Sequence, residues 1–137
     1  MSKFIEMYFD GSSLGNPGRA GCGCVLMVDQ EEVWSESYFV GENETNNKAE
    51  YTGLIKALEE IERRFQKGPG RVIIKGDSLL VIRQMQGNYA VKSNNLKALY
   101  HAAKEIESRI RERNIDLYFL HVPRSENSRA DELSRIA

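Results

Sequence analysis

The chain has 137 residues, enough for one domain that buries roughly two-thirds of its unfolded surface without disulfides or a structural metal. Hydrophobic residues at 41% and charged residues at 28% exclude a disordered chain, and no apolar run approaches the roughly 20 residues of a membrane span. A net charge of -1, from 19 Lys+Arg and 20 Asp+Glu, lacks the basic excess that many nucleic-acid binders show.

Residues 3–10 read as a first strand, ended by the turn formers Gly11-Ser12-Ser13-Leu14-Gly15-Asn16-Pro17-Gly18, which predict a tight loop. A second strand is expected over about 20–28, with Cys22 and Cys24 two apart inside it. That spacing disfavours a mutual disulfide and predicts a reducing, cytoplasmic setting. Asp29-Gln30-Glu31-Glu32 predicts a polar hairpin turn, and 33–40 a third strand, which completes an antiparallel meander.

The period then changes. Leu54, Ile55, Leu58, Ile61 and Phe65 recur at helical spacing and predict a helix over about 46–66, broken by Gly68-Pro69-Gly70. Val72-Ile73-Ile74 before Asp77 suits a buried parallel strand. A short helix over 79–86 follows, and then a long one over about 95–112. The long helix turns Leu96, Leu99, Tyr100, Ala103, Ile106 and Ile110 inward. Residues 115–121 predict a fifth strand and 126–136 a closing helix started by Ser125. The order implies an α/β fold: one five-stranded mixed sheet, three antiparallel strands then parallel ones, with helices on its faces, as a single domain over 1–137.

Four carboxylates fall at element ends. Asp10 closes the first strand and Asp77 the fourth, Glu50 sits in the first turns of the long helix, and Asp131 in the closing helix. If strands one and four are parallel neighbours, Asp10 and Asp77 meet in the crevice beyond their carboxyl ends, the usual ligand site of such sheets. Like charges that close stay ionised only if a cation joins them, and an all-oxygen cluster suits Mg2+ or Mn2+. Each acid also has a structural role open to it: a turn at Asp10-Gly11, a capping box of Asn47 with Glu50, a helix cap at Asp77-Ser78, a solvated face at Asp131. The functional reading rests on their joint placement.

The sequence resembles the ribonuclease H type 1 family over nearly its full length. The resemblance lies in Tyr8-Phe9-Asp10-Gly11-Ser12 with Asn16-Pro17-Gly18, Thr45-Asn46-Asn47-Lys48-Ala49-Glu50, Asp77-Ser78, and His121 with Glu126-Asn127 and Ala130-Asp131. It implies the ribonuclease H-like fold and an active site of Asp10, Glu50, Asp77 and Asp131. It also implies cleavage of the RNA strand of an RNA–DNA hybrid to 5′-phosphate and 3′-hydroxyl ends. Two Mg2+ ions, with Mn2+ as a substitute, would sit about 3.5–4 Å apart, as in two-metal phosphoryl-transfer sites.

His121, ten positions before Asp131, matches the family's mobile histidine and would shuttle protons or help product leave; His101 reads as structural. The resemblance assigns minor-groove contacts to Gly11, Ser12, Ser13, Asn16, Asn46 and Asn47, a DNA phosphate to Thr45, and a 2′-hydroxyl contact to Glu50, and it counts Ser78 among the substrate-binding residues. Lys92 and Lys97 are the cations best placed for phosphate. Two departures stand out: Leu79 replaces a glutamine that often contacts a base, and a Trp- and Lys-rich insertion is missing.

With the four acids set aside, 19 cations face 16 acids, so the metal-loaded protein is weakly cationic and its hybrid affinity should fall only gently with salt. A P-loop is excluded because the Gly-rich stretch lacks Gly-Lys-Ser or Gly-Lys-Thr and joins two strands. The expected partner of this monomer is an RNA–DNA hybrid and no membrane. Double-stranded RNA is left open as a second substrate, and a non-catalytic hybrid-binding module is the rival reading.

Overall fold

A computed structural model describes residues 3–136. Five strands, β1 (Ile5–Gly15), β2 (Gly18–Val28), β3 (Glu31–Glu44), β4 (Arg71–Gly76) and β5 (Asp116–His121), form one sheet in the order β3-β2-β1-β4-β5. β1, β2 and β3 are antiparallel, whereas β4 runs parallel to β1 and β5 parallel to β4. The helices are α1 (Asn46–Arg64), α2 (Leu79–Met85), α3 (Asn94–Arg111) and α4 (Ser128–Ser134). Among the described residues no helix is long and apolar enough to cross a membrane.

Alternation along β1 sorts the two faces of the sheet. Ile5, Met7 and Phe9 turn to the side where Tyr51, Leu54, Leu58 and Ile61 of α1 complete the main core. Ile106 and Ile110 of α3 close that core from outside, burying the face that the helical spacing predicts. The opposite face carries a smaller cluster, in which Ala130 and Leu133 of α4 pack on Val25 beside Tyr8 and Met27. Helices therefore cover both faces, as the sequence implies.

Several boundaries differ from expectation. The stretch Gly11–Gly15 is not a loop: β1 continues through it, paired residue by residue with Gly18–Cys22, and the chain turns only at Asn16-Pro17. Local propensity disfavours Gly-Ser-Ser as strand, but a complete antiparallel ladder overrides it. The β2–β3 turn is tighter than four residues, with Asp29 and Gln30 both at positive φ (50° and 68°), the geometry of a two-residue hairpin. The closing helix does not start at Ser125. Arg124–Glu126 form a 3-10 turn, and α4 begins only after Asn127, whose side-chain amide donates to the Phe9 carbonyl at 2.9 Å.

β5 lies at one margin of the sheet. Asp116 N–H and Val122 N–H point to the β4 side, bonding Gly70 and Gly76 carbonyls, so the carbonyls of Leu117 and Phe119 face outward. Two side chains cover them: Arg111 Nη2 donates to Leu117 O at 2.7 Å and Gln86 Nε2 to Phe119 O at 2.6 Å.

Candidate active site

Each acid reaches the cleft from a different element. The β1–β4 pairing runs out at Tyr8 opposite Lys75, and Asp10 and Asp77 follow just beyond it. Asp10 is thus a strand residue at the crevice and not a turn former. Glu50 arrives on α1 because Gly11 lets the helix touch the strand: a Cβ there would lie 2.2 Å from Ala49 C and 2.3 Å from Glu50 N. The Gly11 N–H then donates to Glu50 Oε1 at 2.6 Å. Helix capping falls to Thr45, whose hydroxyl accepts the Lys48 N–H at 3.2 Å, so Glu50 is turned to the sheet instead of closing a capping box.

One carboxylate oxygen from each of Asp10, Glu50 and Asp77 lies within 4.8 Å of the others. Asp131 lines the same cleft of about 520 Å³ but stands beside this trio. Its carboxylate pairs with Arg135 Nε at 3.2 Å and lies 4.0 Å from Arg124 Nη2. These two cations of the cleft therefore face the fourth acid and not the three clustered together.

The remaining predicted residues separate into two groups. Gly11, Ser12, Ser13, Asn46, Asn47 and His121 line the cleft. Asn16 acts one step back: its Oδ1 accepts the Asn46 N–H at 3.0 Å, and Asn46 Oδ1 accepts the Ser13 N–H at 2.9 Å and its hydroxyl at 3.0 Å. Thr45 and Ser78 are occupied as helix N-caps, Ser78 by accepting the Val81 N–H at 3.3 Å. Lys92 is exposed in the segment before α3, and Leu79 is 40% exposed at the start of α2. Sequence reasoning missed Arg124 and Arg135. For Arg135 the signal was present, since an arginine four residues after an aspartate on a helix meets it.

The trio is electrostatically unsatisfied without a cation. Burial, then Asp77 and Asp131, push the Asp10 carboxyl up to about 7. Burial and the neighbouring Asp10 hold Glu50 well above the usual carboxylate range, against the opposing pull of the Gly11 N–H. Three clustered carboxylates, two of them buried and offering only oxygen, fit a hard divalent cation.

A pH dependence follows. Asp10 releases its proton near pH 4 in the unfolded chain but near 7 in the metal-free fold. The unfolded chain then binds fewer protons between those values, so the metal-free protein loses stability as pH rises through this interval. The expected result in chelator is a lower urea midpoint at pH 8 than at pH 5.5, with millimolar Mg2+ restoring it at pH 8. A midpoint that rises over that interval in chelator contradicts the unsatisfied cluster.

The sheet order, the helices on both faces and the acidic cleft beyond the parallel strands define a ribonuclease H-like fold. A family model described as "Reverse transcriptase-like" matches residues 8–137. Ribonuclease H of Proteus mirabilis is 32% identical over 150 residues, spanning 100% of this chain and 88% of its own. The bifunctional protein Rv2228c of Mycobacterium tuberculosis is 39% identical over 129 residues, 93% of this chain and 34% of its own, so the chain spans about a third of that relative. The crystal structure of LC11-RNase H1 in complex with RNA/DNA hybrid superimposes with a TM-score of 0.87 at 38% identity, covering 97% and 95% of the two chains. The chain belongs to the ribonuclease H type 1 family.

Proposed function

We propose that the protein is an endonuclease that hydrolyses the RNA strand of RNA–DNA hybrids to 5′-phosphate and 3′-hydroxyl products. The observation that carries this reading is the convergence of Asp10, Glu50 and Asp77 within 4.8 Å in a chain of this family. These three and Asp131 would hold two Mg2+ ions, and Mn2+ suits the same oxygen donors. When bound, the ions supply Lewis-acid activation of water and offset charge on the scissile phosphate.

The chain's own residues do the rest. The Gly11 N–H fixes Glu50, so that carboxylate is placed before substrate arrives. Gly11, Ser12, Ser13, Asn46 and Asn47 present short donors and acceptors to the cleft, suited to 2′-hydroxyls in a shallow minor groove. Asn16 holds Asn46, and through it Ser13, in register with α1. Thr45 and Ser78 sit at helix N-termini, where N–H groups favour phosphate, and Lys92 offers an exposed cation. The hybrid bound to LC11-RNase H1 supports the substrate class. The buried free thiols of Cys22 and Cys24 support a reducing cytoplasm, and a monomer is the proposed working unit.

His121 is exposed in the cleft with Nε2 3.3 Å from the Asp77 carbonyl oxygen. There its imidazole can exchange a proton with the reacting groups. His121→Ala is expected to lower kcat roughly 100-fold while hybrid affinity stays within about twofold. Equal losses in both would show a binding role instead.

The direct test incubates labelled RNA–DNA hybrid, double-stranded RNA and double-stranded DNA with the protein in Mg2+, Mn2+ or chelator. Hybrid cleavage that vanishes in chelator supports the reading. Tight hybrid binding without cleavage in either metal would replace it with a non-catalytic binding module, and cleavage of double-stranded RNA would widen the substrate class.

A further inference from the structure

A helix leaves its last four carbonyls without intrahelical partners. In α4, which carries Asp131, all four are answered. Ser134 Oγ donates to Asp131 O at 2.6 Å, and Arg135 N–H to Glu132 O at 3.2 Å. Leu133 O accepts the Ile136 N–H at 3.3 Å, and both Leu133 O and Ser134 O are also reached from the sheet. Ser37 of β3 donates its hydroxyl to Leu133 O at 2.6 Å, and Ser12 of β1 donates to Ser134 O at 3.3 Å. Between them β2 offers glycine where the helix lies closest: a Cβ on Gly21 would stand 2.5 Å from Ser134 O, and one on Gly23 2.6 Å from Ala130 O.

The helix has seven residues, too short to hold itself in place, and its apolar anchorage is limited to Ala130 and Leu133. The Asp131 carboxylate makes its ion pairs at the surface, with Arg135 and Arg124. Its position relative to the Asp10, Glu50 and Asp77 trio is therefore set by where α4 rests on the sheet.

We propose that Ser37, which does not line the cleft, is a positioning residue for the fourth carboxylate: by capping Leu133 O from β3 it fixes the depth of α4 and so the reach of Asp131. This rests on the reading of Asp131 as a metal ligand. Loss of the hydroxyl leaves the trio intact but lets the last turn of α4 lift from the sheet, and metal affinity falls while the fold persists.

The test measures Mn2+ binding to the full chain by electron paramagnetic resonance, without substrate, for the wild type, Ser37→Ala, Ser37→Thr and Asp131→Asn, with melting temperatures in chelator alongside. Ser37→Ala is expected to weaken Mn2+ binding roughly three- to tenfold, the range spanned by loss of one hydrogen bond. Ser37→Thr, which keeps the hydroxyl, should restore it. Asp131→Asn should weaken binding at least as much. If Asp131→Asn weakens binding and Ser37→Ala does not, or lowers only the melting temperature, the positioning role is wrong. If Asp131→Asn binds Mn2+ as the wild type does, the ligand role of Asp131 falls and the positioning role with it.

Discussion

Asp10→Asn is expected to lose hybrid hydrolysis by at least roughly three orders of magnitude and yet to melt higher than the wild type in chelator. The two effects share one cause. Asp10 is 4% exposed, lies within 4.8 Å of Glu50 and Asp77, and has its pKa pushed up to about 7 by burial, then by Asp77 and Asp131, against the opposing hydrogen bond with Glu50. Ionising it in the metal-free fold at neutral pH therefore costs free energy, which the neutral amide avoids. In the proposed function the same carboxylate would help hold the divalent metal, and losing one such preorganised group costs 10²–10³ or more in rate. For a chain of this size the expected gain is about 3–6 °C in Tm, corresponding to ~1–2 kcal/mol. Calorimetry in chelator and a hybrid-cleavage assay in Mg2+ read the two arms. A variant that loses activity and also melts lower would show that Asp10 is a structural acid.

Gly11→Ala should lose both. The added Cβ meets only backbone, 2.2 Å from Ala49 C, 2.3 Å from Glu50 N and 2.5 Å from Ala49 O, so no side chain can swing aside. To reach ordinary contact α1 must withdraw from β1 by more than about 1 Å, an overpacking strain of roughly 1–3 kcal/mol. That withdrawal stretches the 2.6 Å bond from the Gly11 N–H to Glu50 Oε1 and carries the carboxylate out of the trio. A displacement of about 1 Å at a reacting centre can cost roughly 100-fold in rate. The expected result is a Tm lower by several degrees and cleavage reduced by at least about 100-fold that excess Mg2+ does not recover. Near-normal cleavage in a destabilised Gly11→Ala would mean that α1 slides without moving Glu50.

These two glycine- and acid-dependent effects indicate what could be read before the fold was known. Helical spacing located α1 and α3 to within two residues at either end, because Leu54, Leu58 and Ile61, and likewise Ala103, Ile106 and Ile110, face one shared core. Asp10 and Asp77 could be brought together by topology alone, since parallel β1 and β4 must end on the same side. Small residues were harder to interpret. Gly11, Ser12 and Ser13 have the composition of a loop, yet they are strand residues, and the absent side chain of Gly11 serves the approach of α1, a long-range requirement with no local signature. β3 extends past Val40 through Gly41-Glu42-Asn43-Glu44 for a similar reason: pairing with β2 sustains it where propensity does not. The closing helix starts later than its local signals predict because Asn127 is held by Phe9 O, 118 residues away in sequence. Asp131 lies on that helix as the sequence predicts, but its pairing with Arg135 and Arg124 makes it electrostatically different from the other three acids.

The coverings on Leu117 O and Phe119 O bear on how the protein behaves when crowded. A bare strand margin invites a second chain to add to it, and from there templated growth can begin. On the β5 side the outward carbonyls of Leu117 and Phe119 are engaged by Arg111 and Gln86, while the β3 margin at the other end carries Glu31, Glu32, Glu36, Glu42 and Glu44. One rim has two of its outward carbonyls occupied and the other is studded with carboxylates, several held in ion pairs with Arg129, Arg19 and Lys48, so a second strand adding at either end must displace side chains or bury charge.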